Sequence, residues 1–360
     1  MHLKEFFVKK RCLIGIIGSL VAFGIVLASC SNLIEELKGH PVPSLYEMVA
    51  VTNTSVPVTG ADPSFVASGA SNYYKGVFRT GRNVTLSPYS MGKYEVTQEL
   101  YKMIMDGKTV NGTALAAEPS YCKETGTYPL VSGENQGKRP VEGVTWYDAV
   151  YFCNAFTEET LGADKKVYTI SGITVNSEGH ITSATVGMDR TKTGYRLPTE
   201  AEWEFAARGG NPSKPDWNYL FSGHATADGV PYSNTTNSGM DSVGWYLYNS
   251  GNDGVTGDST PASGTQGYGT HEIGKKEHNL LGIYDMSGNV WEWCYDRWTD
   301  SVGTGNVTDP SGPSSGSGRV SRGGGWGDYA YGCSVCYRDY YGPGNRSHYL
   351  GFRLVHSRSE

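Results

Sequence analysis

The sequence predicts one α+β domain, rich in loops and poor in long regular elements. Three observations point there: glycine supplies 48 of 360 residues, the helical patterns are short, and strand-like runs alternate with turn residues along the chain. No internal repeat and no compositional break divides the residues after 44.

Taken in order, residues 1–29 read as a bacterial secretion signal, in which Lys4, Lys9, Lys10 and Arg11 precede an apolar run from Leu13 to Ala28. The run ends in Leu27-Ala28-Ser29-Cys30, which resembles a lipobox and implies that Cys30 is diacylated and held in a bilayer. Small residues before the cysteine favour this over an uncleaved membrane anchor. Residues 30–44 are then a tether, and the protein is expected at the cell surface as an outer-membrane lipoprotein. Loss of the leader removes four basic residues and Glu5, taking the net charge from −6 to −9. An acidic chain with no basic run is unsuited to nucleic acid.

The domain is expected over 45–358. Ser44 to Val51 reads as a first strand and Val84 to Tyr94 as a second strand-like piece. Thr97 can cap a short helix with Leu100, Met103 and Ile104 on its apolar face, and Thr145 opens a clearer one over 146–161. Thr199 and Glu202 form a T-x-x-E capping box for a helix that stops at Gly209-Gly210. Residues 209–270 carry little periodicity but include Trp217, Tyr219, Phe221, Trp245 and Tyr246, so they read as a surface layer with something to bury. Arg319 to Trp326 and Gly351 to Val355 are the last strand-like runs.

Seven cysteines leave five once Cys12 and Cys30 are set aside: Cys122, Cys153, Cys294, Cys333 and Cys336. An odd count without repeated spacing indicates neither a disulfide framework nor a zinc site, and the C-x-x-C at Cys333 and Cys336 reads as two separate residues. There is no H-E-x-x-H, G-x-S-x-G or P-loop, and the eight histidines are scattered, with His348 and His356 expected at the surface.

Gly92-Lys-Tyr-Glu-Val-Thr97, Pro140-Val-Glu-Gly-Val-Thr-Trp146, Gly194-Tyr-Arg-Leu-Pro-Thr-Glu-Ala-Glu-Trp-Glu204, Gly288-Asn-Val-Trp-Glu-Trp293, Arg322-Gly-Gly-Gly-Trp326 and Gly351-Phe-Arg353 follow one another along the chain. In that order they resemble the formylglycine-generating-enzyme type of C-type lectin fold, over about 45–356. Arg196, Glu202, Trp203, Trp291 and Trp293 are residue types that build a buried polar and aromatic frame where regular structure is scarce. The resemblance also implies a structural calcium at Asp285 and Glu292, for which an ordinary turn with a buried Glu is the equal alternative.

The enzymes of this fold hold copper with two cysteines, whose places here are Asp328 and Cys333. A carboxylate and one thiolate make a poor site for Cu(I). A copper-dependent oxidase acting on exported proteins is therefore the second reading, with Cys336 as the residue that would have to rescue it. A calcium-dependent sugar lectin comes last, because its E-P-N and W-N-D clusters are absent.

Residues 319–355 carry the first reading. Between Gly327 and Tyr349 there is no Lys, Glu, Gln, Met or Trp, although these types make up roughly a fifth of average composition. The segment is similar to the variable region of proteins diversified by retroelements, in which template adenines are miscopied, chiefly in AAY codons. Changing the first two bases of AAY cannot give Lys, Glu, Gln, Met, Trp or a stop. The resemblance implies a non-enzymatic, receptor-like surface protein that needs no cofactor and binds a protein or surface ligand differing between variants. Trp326, Ala330, Cys333, Val335, Arg338, Pro343, Arg346, Leu350 and Gly351 match framework positions. The ligand-facing set is then Gly327, Asp328, Tyr329, Tyr331, Gly332, Ser334, Cys336, Tyr337, Asp339, Tyr340, Tyr341, Gly344, Asn345, Ser347, His348 and Tyr349, with the tyrosines expected on one face. Tyr gives large contact area with few rotors to freeze, while Ser, Asn and Asp give adaptable hydrogen bonds.

Overall fold

Three threonines start three helices. In the computed structural model, which describes residues 46–357 apart from 53–55, 67–69, 126, 131–132, 225–235 and 252–267, Thr97 caps α1 (Gln98–Met105), Thr145 caps α2 (Trp146–Leu161) and Thr199 caps α3 (Glu200–Ala207). The leader, Cys30 and the tether lie outside the described residues. Thr199 and Glu202 satisfy each other's backbone N–H, as the T-x-x-E spacing requires, and Thr145 does the same with Asp148. Gly209 and Gly210, at φ of 77° and 68°, supply the left-handed turn that ends α3. A short fourth helix, α4 (Ser238–Val243), capped by Asn237, was not expected from the aperiodic stretch that contains it.

The strands are short and gather into two four-stranded sheets and smaller ribbons. The first sheet runs β1 (Met48–Val51), β4 (Tyr89–Gly92), β15 (Val355–Ser357) and β9 (Tyr195–Arg196), so both ends of the described chain meet in it. The second runs β13 (Arg338–Tyr341), β12 (Arg319–Arg322), β10 (Trp291–Arg297) and β14 (Leu350–Gly351). A third joins β11 (Gly305–Thr308), β3 (Arg82–Thr85) and β2 (Val58–Thr59). Two hairpins complete the set: β5 (Thr109–Val110) with β6 (Thr113–Ala114), and β7 (Tyr168–Val175) with β8 (Ile181–Met188). The single strand-like piece expected over 84–94 is thus two strands.

Two apolar clusters flank the second sheet. One packs α1 and α2 against Trp291, Trp293, Leu350 and Phe352; the other packs α3 through Trp203 and Phe205 against Met91, Cys294 and Val320. Trp217, Phe221 and Tyr246 of the aperiodic stretch are buried as expected, whereas Tyr219 and Trp245 are half-buried. Among the described residues no helix is long and apolar enough to cross a membrane.

Candidate ligand-binding surface

The layer beneath residues 327–349 is built from charge. Glu200 and Glu204 stand one turn apart on α3 and share a face, while Arg322 and Arg338 lie opposite each other across the β12–β13 pair. Arg338 grips Glu200 with two hydrogen bonds of 2.6 and 2.8 Å, and Arg322 and Arg208 reach the two oxygens of Glu204 at 2.8 and 2.9 Å. All five side chains are buried. Burial opposes ionisation of Glu200, but Arg338 and Arg322 outweigh it and hold the carboxyl below its usual range. Glu202, clamped by Arg196 with two 2.7 Å bonds, is likewise held down to about 2 against its burial. Glu204 also accepts Val77 N at 2.7 Å, and a Cβ on Gly76 would sit 2.4 Å from its oxygens, so only glycine fits there.

Several of these contacts are made to the backbone of the C-terminal segment. Arg322 donates to the carbonyls of Val335 and Tyr337 at 2.7 Å each, and Trp326 Nε1 donates to His348 O at 2.9 Å. The N–H groups of Gly143, Trp291 and Leu247 reach the carbonyls of Ser347, Tyr349 and Asp328. Contacts of this kind hold a chain whatever side chains it carries.

Above this layer, Asp339 and Tyr341 share one face of β13, Tyr337 immediately precedes the strand, and all three are half-buried. Tyr329 and Tyr331 stack beside them at 5.9 Å, Tyr331 and Tyr337 meet edge to face, and Tyr349 bridges Tyr341 to His348. Gly327, Asn345 and Ser347 also reach the surface. Tyr340 departs from the expected single face: it points to the other side of β13, is 40% exposed, and stacks on Trp298 at 4.7 Å.

Five further members of the expected ligand-facing set are turned inward or hemmed in. Gly332, Ser334 and Cys336 are buried, because Ala330–Cys333 forms a tight 3-10 turn that tucks the following residues under the tyrosines. The Asp328 carboxylate accepts Trp291 Nε1 at 2.7 Å and Gly325 N at 2.9 Å, so its side chain belongs to the frame. A Cβ on Gly344 would lie 2.6 Å from Thr182 O. Of the expected framework, Trp326, Ala330, Cys333, Val335, Arg338, Leu350 and Gly351 are buried, while Pro343 and Arg346 are half-buried.

Residues outside the segment join the same surface. Tyr74 meets Tyr337 at 5.0 Å, Tyr128 meets His348 at 4.7 Å, and Arg346 donates to the Tyr121 hydroxyl. The doublet Tyr73-Tyr74 in a polar turn was the available signal, but nothing local says that it faces residues 260 positions away.

Among the described residues, Cys122, Cys153, Cys294, Cys333 and Cys336 are unpaired and buried. Burial, followed by the nearby Asp328, raises the Cys333 thiol well above its ordinary range, and burial pushes Cys336 up to about 11. Both are therefore neutral thiols, and inert ones. At Asp285 and Glu292, both Glu292 oxygens are taken by Arg353 and Trp203 and Arg353 also reaches the carbonyl of Asp285, whereas the buried Asp285 Oδ1 has no hydrogen-bond partner. His348 is half-buried within the aromatic cluster, and burial lowers its pKa.

Residues 35–358 match the sulfatase-modifying factor enzyme 1-like domain. The chain belongs to that family. Its fold is accordingly the α+β, C-type-lectin-like one of the formylglycine-generating-enzyme type, as the motif order implied. Within the family, it is 32% identical to the solved structure of Treponema denticola variable protein 1, with a TM-score of 0.60, covering 86% of this chain and 95% of that one. It is 33% identical over 316 residues to "Chaperone protein LppX" of Paenibacillus barcinonensis, covering 86% of this chain and 95% of the relative. The match to the formylglycine-generating enzyme of Thermomonospora curvata is 36% over 140 residues and spans 39% of that enzyme. The likeness to a variable protein therefore extends over nearly the whole of both chains, and that to the enzyme over a minor part.

Proposed function

We propose that this family member is an exported, lipid-anchored, non-enzymatic binding protein that meets its ligand through the tyrosine surface of residues 327–349, and that a retroelement rewrites this surface between variants. The observation that carries the reading is the layering: half-exposed aromatic side chains stand on a segment whose backbone is held by buried arginine, tryptophan and main-chain groups. Such a layer tolerates replacement of what stands on it. Similarity to a variable protein along nearly the whole chain supports binding, and Asp328 in the place of one copper cysteine, with its carboxylate already engaged by Trp291 and Gly325, argues against copper chemistry.

The deciding experiment is sequencing of the gene and its neighbourhood. A near-copy of the stretch encoding 319–355, differing mainly at adenines and beside a reverse transcriptase, is the expected result; without one, the diversification reading fails. Anchoring is checked by labelled fatty-acid incorporation, expected in the wild type and lost in Cys30→Ala. The match to the enzyme motivates a Cu(I) titration, and stoichiometric binding that protects Cys333 and Cys336 from alkylation would turn the reading toward an oxidase.

A further inference from the structure

Eight arginines are buried among the described residues. Arg139, Arg196, Arg208, Arg322, Arg338 and Arg353 each pair with a carboxylate, and Arg319 lies 3.7 Å from the centre of the Trp146 ring. Arg82 has neither. It is 5% exposed, its guanidinium makes one hydrogen bond, from Nη1 to Val77 O at 3.0 Å, and its Nε has no partner. Glu200, Asp296 and Glu204 act on it only through space. A buried cation without a counter-ion is costly unless something charged comes to meet it.

Arg82 lines a cavity of about 370 Å³ between β3, the start of α3 and the loop that follows β10. That volume lies within the roughly 300–1,000 Å³ of small-molecule pockets. Its lining combines polar and charged side chains, Arg82, Arg338, Glu200 and Asp296 among them, with the apolar Val302, Val307, Pro310 and Pro313. Arg338 is already committed to Glu200 and Thr299 O, and the half-buried Arg297 donates to Gly316 O, which leaves Arg82 as the buried cation of the lining with no ion-pair partner. Asp296 accepts Glu200 N at 3.0 Å; burial, then Glu200, push its carboxyl up to about 8, so near neutral pH it is protonated and does not repel an anion.

We propose that this cavity binds a carboxylate carried on a small apolar group, with its oxygens on the Arg82 guanidinium and its apolar end against Val302, Val307 and Pro313. Guanidinium matches carboxylate geometrically, and a lining that sets a few charged groups among apolar side chains suits a small molecule with one charged group on an apolar body. A free short-chain acid and the C-terminal residue of a peptide both present this chemistry. The site stands independently of the tyrosine surface, so either can fail alone.

The test uses the full chain, with melting temperature and calorimetric titration as readouts. Butyrate and an acetylated Ala-Val dipeptide with a free carboxylate are compared with butyramide, the amidated dipeptide and inorganic phosphate. Saturable binding of butyrate, of the free-acid dipeptide or of both is expected, and it identifies the source. Arg82→Gln is expected to weaken that binding at least tenfold. Val302→Trp, which fills the cavity while leaving Arg82 in place, guards against misfolding of the first variant and is expected to abolish binding. Absence of saturable binding by either carboxylate overturns the proposal. So does equal binding of the amides or of phosphate, or unchanged binding in both variants.

Discussion

The layer under residues 327–349 and the surface above it reverse the usual placement of charge and aromatic area. Below, Glu200, Glu204, Arg322 and Arg338 are buried; above, Tyr329, Tyr331, Tyr337, Tyr341 and Tyr349 keep part of their rings in solvent. Burying charge costs desolvation that an apolar layer would avoid. What charge gives in return is direction: Arg322 holds Glu204 and two carbonyls at once, and a carbonyl is the same group whichever residue bears it. Apolar packing would instead depend on the shape of each side chain in the segment. A surface meant to change can therefore rest on polar contacts more safely than on a hydrophobic interface.

Breaking the lower layer is expected to have the largest effect. Arg322→Ala leaves Glu204 with Arg208 as its one counter-ion and frees the carbonyls of Val335 and Tyr337, so a loss of about 3–5 kcal/mol is expected, read as a lowered denaturant midpoint. A cost under about 1 kcal/mol would mean that the segment is held some other way. Gly324→Ala comes next. Its φ is +72°, and the added Cβ would meet Cys333 Sγ at 2.6 Å, so destabilisation beyond about 1 kcal/mol is expected in the same measurement.

Much of the fold was legible because its signals are local. Thr97, Thr145 and Thr199 each open a helix at the residue the sequence indicates, since a cap is chosen by its next three neighbours. The longest strands, β7 and β8, gave a weaker signal. Bulges near Ser171 and Thr174 shift the alternation in β7, so Ile170, Ile173 and Val175 lose the period of two that would reveal a strand, whereas Ala184, Val186 and Met188 of β8 keep it. In the surface, residue types were legible but directions were not. Arg322 and Glu204 are 118 positions apart, and the turn that buries Ser334 and Cys336 is set by packing rather than by a motif.

Asp328 sharpens the boundary between the two layers. Burial pushes its carboxyl up to about 6 from an ordinary 3.8, so the folded state holds the proton more tightly than the unfolded one. The stability this confers is complete below about pH 3.8 and is lost as pH rises through about 6. Asp328→Asn keeps an acceptor for Trp291 and Gly325 but removes the titration. The variant is expected to gain on the wild type between pH 4 and pH 7; parallel pH profiles would place the carboxylate in solvent and return Asp328 to the ligand-facing set.

The smallest effect is expected where the surface is most free. Tyr340 stacks on Trp298 and is 40% exposed, and its place on β13 is fixed by backbone pairing with Val320 rather than by its ring. Tyr340→Ser should change stability by no more than about 0.5 kcal/mol. Combining it with Tyr329→Asn and Asn345→Tyr should add little, because no ring contact links the three sites. If the triple variant melts many degrees lower than its parent, the tyrosines support the fold themselves, and the division between a fixed layer and a replaceable one is wrong. If its melting is unchanged, the frame alone specifies the backbone, and the outward-facing positions among residues 327–349 can be rewritten without consulting the core.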